Sequence, residues 1–251
     1  MQYLNIRAQN MEEKSKRRTN LQLEQDMMNA IEHIVVEKGF SDIPIMEFIN
    51  RAHIDPNVFY RRYKTLDDIY STLARRYDFW INDSIDVSDI QKLGDRAFLA
   101  NVIKQLHKNL LSNPIMQKLL LWELTEVNET TKHSSQFRDT MNASLVLYYK
   151  RIFDKINIDA ATIVALLVGG TYYLTLHRGI ATFCLIDFDS EQGRKKLDAA
   201  IDSITELLFL QIEQHNRQIT MAKEMDKDGI KHKDICRYMG ITTKELNKLL
   251  E

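Results

Sequence analysis

Proline and glycine are scarce, with 3 and 8 copies in 251 residues. A sandwich or barrel needs many more turn residues to reverse its strands, so this scarcity argues against all-β designs and favours long helices. Cysteine is scarcer still. Cys184 and Cys236 cannot build a disulfide framework, and a reducing cytosol is the simpler setting. A dominant charge is also lacking. The formal net charge of -1 counts against a protein that coats nucleic acid regardless of sequence, which would need a strong basic excess. A specific reader stays open, because a few cations on one face suffice for it. The opening MQYLNIRAQNMEEKSKRR contains no apolar core of signal-peptide length. The longest apolar stretch, 158–176, includes Asp159, three threonines and two tyrosines, which predicts a buried helix rather than a membrane span. The expectation is a cytoplasmic chain with no membrane partner.

Catalytic signatures are missing as well. The seven histidines form no His-Glu-x-x-His pair, and no Cys-x-x-Cys occurs, so no metal site is expected. There is no Gly-x-Ser-x-Gly elbow and no glycine loop able to cradle phosphate. Asp67-Asp68 opens a predicted helix, where acids favour the dipole, and Asp187/Asp189 sits in a predicted loop. The expectation is no enzyme and no cofactor.

What is present is 44% hydrophobic and 27% charged residues, enough for a core and too structured a composition for disorder. The fold class expected is all-α. A first helix is predicted over about 19–38, with Leu23, Met27, Ala30, Ile31, Ile34 and Val35 at helical spacing and Gly39 ending it. Two short helices follow near 44–52 and 56–62, then a longer one over 66–85. Further helices are predicted near 95–112, 114–127, 135–156, 159–182 and 190–216. Asp55-Pro56 and Asn113-Pro114 read as N-cap then N1, and Pro44 also suits a first helical position. The domain plan is a polar, basic arm over 1–18, a three-helix head over 19–66, a helical body over 67–216 and a tail over 217–251. No internal repeat of fixed period is visible.

The segment EFINRAHIDPNVFYRRY (47–63) carries the strongest signal. A helix-turn-helix needs apolar residues at set offsets and a tight turn between two short helices. Phe48, Ile49 and Ala52 suit the inner face of the first helix. Ile54 plugs the turn, and Val58 or Phe59 anchors the second helix. Asn57, Tyr60, Arg61 and Arg62 are left to face a duplex or its phosphates.

Here the chain resembles the TetR family. Its long first helix ends at Gly39-Phe40, like the family's Gly-aromatic junction. Phe59-Tyr60-Arg61-Arg62-Tyr63 is similar to the Leu-Tyr-x-x-Phe signature, and Lys64-Thr65-Leu66-Asp67-Asp68-Ile69 lies where the family starts its fourth helix. The likeness is detailed over about 15–75 and covers only the helical plan beyond. His53 stands in place of the usual turn glycine, and Leu66 in place of a frequent lysine. The resemblance implies a double-stranded DNA operator, with Asn57 and Val58 near base edges and Tyr60, Lys64 and Thr65 on phosphates. Arg61 or Arg62 suits a guanine edge or a phosphate. Arg17 and Arg18, in the basic run 14–18, suit a backbone-tracking or minor-groove arm, or else a solvated terminus.

The family's body dimerises and often encloses a small-molecule pocket. Homodimerisation through about 159–182 and 190–216 follows as an expectation. Ala160, Ala161, Ala165, Gly169 and Gly170 permit close helix approach, and Leu197, Ile201, Ile204, Leu208 and Ile212 form an apolar stripe. Candidate linings for a small hydrophobic or amphiphilic ligand are Trp80, Trp122, Met141, Tyr148, Tyr149, Phe153, Tyr172, Tyr173 and His177, unless they are simply core.

A second helix-turn-helix spacing lies in KHKDICRYMGITTKELNKLL (231–250), preceded by a predicted helix over 218–228. It resembles the small modules of recombinases and sigma-like factors and is not a usual part of the TetR plan. Thr243, Lys244, Asn247 and Lys248 make a second DNA contact on one reading; on the other the tail is a structural appendage. The function expected is a ligand-responsive transcriptional regulator, a repressor acting as a dimer. The alternative is a helical protein-interaction module whose head no longer reads DNA.

Overall fold

The computed structural model describes residues 18–41, 43–77 and 88–250, and among these the chain is all-helical, with no strand. Twelve α-helices follow in order: α1 Asn20–Lys38, α2 Ile45–Arg51, α3 Pro56–Tyr60, α4 Leu66–Tyr77, α5 Asp89–Leu93, α6 Asp95–Ser112, α7 Pro114–Thr125, α8 Glu129–Phe153, α9 Ala160–His177, α10 Glu191–Lys227, α11 His232–Met239 and α12 Thr243–Leu250. A 3-10 turn, Asp154–Ile156, follows α8. The chain divides into two compact units, residues 1–80 with 110–140 and residues 81–109 with 141–251.

Local chemistry explains most boundaries. Thr19 caps α1 reciprocally: its hydroxyl accepts from the Gln22 amide at 3.2 Å while Gln22 Oε1 accepts from the Thr19 amide at 2.8 Å. The Asp55 carboxylate accepts from the Asn57 amide at 2.8 Å, and Asn113 Oδ1 from the Met116 amide at 3.0 Å, each ahead of a proline at the first helical position. Pro44 differs from the expectation. It sits at the N-cap itself, with an extended ψ of 131°, because residue 45 is the first to take helical angles.

Two helices are longer than the sequence pattern predicts. α8 begins at Glu129 rather than near 135, because Asn128 and Thr131 exchange side-chain to amide bonds of 2.9 and 3.0 Å and cap it earlier. α10 runs unbroken from 191 to 227, absorbing the separate helix expected over 218–228. No glycine or proline falls between Gly193 and Gly229 to interrupt it.

The first unit buries Met27, Met28, Ile31, Ile34 and Val35 of α1 against α2, α4 and α7. The head therefore shares a core with α7, which places Ile115, Met116, Leu119, Leu120 and Trp122 inside. The second unit centres on Phe98, Leu99 and Ile103 of α6, Tyr149 and Phe153 of α8, Ala160 of α9, and Ile201 and Phe209 of α10. A smaller cluster of Ala222, Ile235, Leu246 and Leu249 joins the end of α10 to α11 and α12.

The apolar helix α9 is not buried by its own chain. It is long and apolar enough to cross a membrane by length and composition, and 17% of that window is buried. Within the chain the expected burial is partial: Ala160, Thr171 and Thr175 are buried, and Ala160, Val164 and Leu167 pack on the core of the second unit.

Candidate nucleic-acid interface

α2 and α3 are short, and a tight turn at 52–55 joins them. Phe48 and Phe59, both fully buried, meet edge to face at 5.5 Å and lock the two helices together. His53 takes a left-handed φ of 49°, the conformation the missing turn glycine would have supplied. Ile54 is buried behind it, and its amide donates to the Ile49 carbonyl at 3.3 Å.

Arg18 closes this turn. Its guanidinium donates to the carbonyl of His53, to that of Ala52 at 3.4 Å and to Asp26 at 2.8 Å. The residue expected to serve a mobile arm is thus occupied inside the head, satisfying carbonyls at the C-terminus of α2. Arg17 lies outside the described residues.

Beyond the turn, Asn57, Tyr60, Arg61, Arg62, Lys64 and Thr65 are all exposed, and Val58 is half-buried. The sequence therefore places six of these seven side chains where a duplex can reach them. Arg62 donates to Asn20 Oδ1 at 2.9 Å, a neutral partner that leaves its charge uncompensated. Among the described residues, no carboxylate comes within 4.0 Å of the charged nitrogens of Arg61, Arg62 or Lys64. The neighbouring cations behave differently. Arg51 pairs with Glu37 at 2.7 Å and Glu47 at 3.1 Å, and Lys38 pairs with Glu47 at 2.8 Å. Those hydrogen bonds hold the Glu37 and Glu47 carboxyls below their usual range. Acids thus neutralise the outer side of α2 and leave the far end of α3 basic.

The start of α4 adds a constraint. Asp68 Oδ2 accepts from the backbone amides of Lys64 at 2.7 Å and Thr65 at 3.1 Å, and these bonds, Thr65's foremost, lower its pKa. Two amides of the kind that hold phosphates are thereby occupied. Only the Lys64 and Thr65 side chains remain for that role.

The residues expected to line a pocket are divided between the two units. Trp122 belongs to the first unit, stacked on Phe40 at 4.4 Å with its ring N–H donating to Glu126 at 2.9 Å. Tyr149 and Phe153 are buried in the second unit, meeting Phe209 at 6.5 and 5.1 Å. The Tyr149 hydroxyl donates to the Asp95 carbonyl at 2.9 Å, and Tyr148 donates to the Asp95 carboxylate at 2.6 Å. Tyr173 and His177 stack at 5.3 Å beside Phe183 on the surface. Met141 is 38% exposed, Tyr172 is half-buried, and Trp80 lies outside the described residues. A cleft of about 400 Å³ in the second unit is lined instead by Lys155, Asn157, Gln211, Gln214, His215 and Lys248 among others, and by none of these aromatics. Nothing in the spacing pointed to it, since its lining comes from three distant segments.

The surface expected to pair two copies is open. Leu166 is 71% exposed, Tyr173 49% and Leu207 63%, and a Cβ added at Gly169 or Gly170 would meet nothing within 4 Å. Nearby, Cys184 and Leu185 take left-handed φ values of 50° and 64° in a tight turn closed by mutual Phe183–Ile186 bonds of 2.9 and 3.0 Å. Thr243, Lys244, Asn247 and Lys248 of the tail are exposed on α12. No family model, curated protein or solved structure matches the chain.

Proposed function

We propose that the chain is a DNA-binding transcriptional regulator of the TetR type, a ligand-responsive repressor that acts as a homodimer and carries out no catalysis. One observation carries the reading. Arg61, Arg62 and Lys64 form an exposed basic edge beside Tyr60, their charged nitrogens without an ion pair among the described residues, while Lys38 and Arg51 close by are neutralised. Such an edge suits phosphates, whose counterions it would release. Asn57 and Val58 lie at the start of α3, the helix that would enter the major groove. The rigid Phe48–Phe59 contact and the Arg18-closed turn support a fixed reading geometry.

Self-association is supported by the open apolar face of α9, on which Leu166 and Tyr173 stand exposed. A second copy is a better cover than lipid, because Thr162, Tyr172 and Tyr173 interrupt the apolar surface. In a dimer, a ligand entering the second unit would shift the spacing of two heads, so that both no longer meet their half-sites.

The test is binding to the DNA upstream of the protein's own gene across a salt series, with an Arg61→Ala/Arg62→Ala variant alongside. Tight binding that weakens with salt and collapses in the variant supports the reading. Absence of binding at low salt overturns it and favours a helical interaction module that associates through α9.

A further inference from the structure

The turn between α2 and α3 occurs a second time, between α11 and α12. His53 and Gly240 both take left-handed φ, 49° and 67°. Each is followed by an isoleucine, and the amides of Ile54 and Ile241 donate to carbonyls five residues back, Ile49 at 3.3 Å and Cys236 at 3.1 Å. The next residue caps the second helix in both: Asp55 accepts from the Asn57 amide at 2.8 Å, and Thr242 Oγ1 from the Glu245 amide at 3.2 Å. The anchors correspond as well. Phe48 and Phe59 are fully buried in the first motif, and Ile235 and Leu246, at the same offsets from the turn, are fully buried in the second. The two segments share little sequence, so the likeness lies in the backbone and its packing.

Carrying the offsets outward sets Lys244, Asn247 and Lys248 where the head has Asn57, Tyr60 and Arg61. All three are exposed. They lie one helical turn apart, on the side of α12 opposite Leu246 and Leu249. Residues 231–250 hold five cations, Lys231, Lys233, Arg237, Lys244 and Lys248, against the acids Asp234 and Glu245. No carboxylate among the described residues lies within 4.0 Å of any of the five. Glu245 is turned onto the Thr242 amide at 2.6 Å and hydroxyl at 2.8 Å, bonds that hold its pKa down and keep it off the lysines. The unit has its own small core, in which Ala222 of α10 sits fully buried against the pair.

We infer that α11 and α12 form a second head for double-stranded DNA, with α12 in the groove and Lys244, Asn247 and Lys248 at the contact. The inference rests in part on the reading of Arg61 as a DNA contact, since that is the site it matches. One chain would then engage two DNA segments, and each contact would raise the local concentration of the other.

Full-length wild type, Arg61→Ala/Arg62→Ala, Lys244→Ala/Asn247→Ala/Lys248→Ala and the combined protein would each select duplexes from a random-sequence pool. Circular dichroism melting would check that all are folded. The first-head variant is expected to enrich a sequence motif still, and the combined variant to lose it. In otherwise wild-type protein, losing the two lysines should flatten the salt slope by about two phosphate contacts, so that affinity falls roughly tenfold less between 50 and 200 mM salt. If the tail variant enriches the wild-type motif with unchanged slope and the first-head variant enriches none, the tail inference is overturned and the first head stands. If the tail and combined variants lose binding while the first-head variant keeps it in full, the tail reading stands and the first head falls. Failure of wild type to enrich any duplex removes both.

Discussion

Trp122 lies face to face on Phe40, their ring centroids 4.4 Å apart and their planes within 6° of parallel. Tyr70 closes the group edge-on to both, at 5.3 and 5.6 Å. The junction after α1, the middle of α4 and the body of α7 are thus fastened at one aromatic point. Phe40 follows the glycine that ends α1, so the stack also fixes where the chain turns toward α2.

Truncating the indole should therefore loosen the head as well as α7. Trp122→Ala is expected to lower stability by about 3–5 kcal/mol, as large-to-small aromatic changes in cores do. Trp122→Phe keeps a ring but removes the bond to Glu126, with an expected loss near 1 kcal/mol beyond repacking. Urea unfolding followed by circular dichroism checks both. Equal stability in all three proteins would contradict the packing role.

Arg18 offers a different separation, between holding the fold and holding phosphate. Its partners are the carbonyls of Ala52 and His53 and the Asp26 carboxylate. With the side chain 39% exposed, Arg18→Ala should cost only about 1 kcal/mol of stability. DNA affinity should fall with an unchanged salt slope, because no phosphate contact is removed. A slope reduced by about one contact, with stability intact, would instead make Arg18 a DNA ligand.

The open face of α9 can be tested through association. Leu166→Glu and Leu207→Glu place a carboxylate where a second copy would bury apolar surface. Each is expected to weaken the dimer by roughly 100-fold, about 2.8 kcal/mol, in sedimentation equilibrium. A wild-type chain that stays monomeric at micromolar concentration would remove the dimer from the reading.

Acid should unfold the protein through specific carboxylates. Asp68, Glu126, Asp159 and Glu245 all have lowered pKa values. For Asp68 the backbone amide of Thr65 is the first cause, for Glu126 the Ser41 hydroxyl, for Asp159 the Thr162 hydroxyl and for Glu245 the Thr242 amide. Because the folded values lie below the unfolded ones, their stabilisation is complete above about pH 5 and fades as pH falls through the folded values. Melting temperature is therefore expected to hold from pH 7 to about 5 and to decline below about pH 4. Asp68→Asn should lie below wild type at pH 7 and show a shallower acid decline. Parallel curves for the two proteins would show that Asp68 carries no such linkage.

The residues that were legible from sequence are those whose partners lie within a few positions. Asp55 and Asn113 cap helices by accepting amides two or three residues on, and Gly39 and Gly240 end them by adopting a conformation side chains resist. The early start of α8 and the unbroken run of α10 were not anticipated, although the Asn128–Thr131 pair and the absence of any breaker account for them. Exposure of Asn57, Tyr60, Arg61 and Arg62 followed from the spacing of Phe48, Ile49 and Phe59.

Tertiary structure alone decided which distant groups met. A basic run at the N-terminus does not announce that Arg18 will bond carbonyls at 52 and 53. An aromatic list does not separate Trp122, packed on the head, from Tyr149 and Phe153 in another core. Apolar composition cannot say that α9 stays uncovered by its own chain. Nor does comparing sequences show that the turns at His53 and Gly240 share one hydrogen-bonding plan. Helix ends obey rules that act over three or four residues, whereas these outcomes depend on which faces the folded chain brings together over tens of residues.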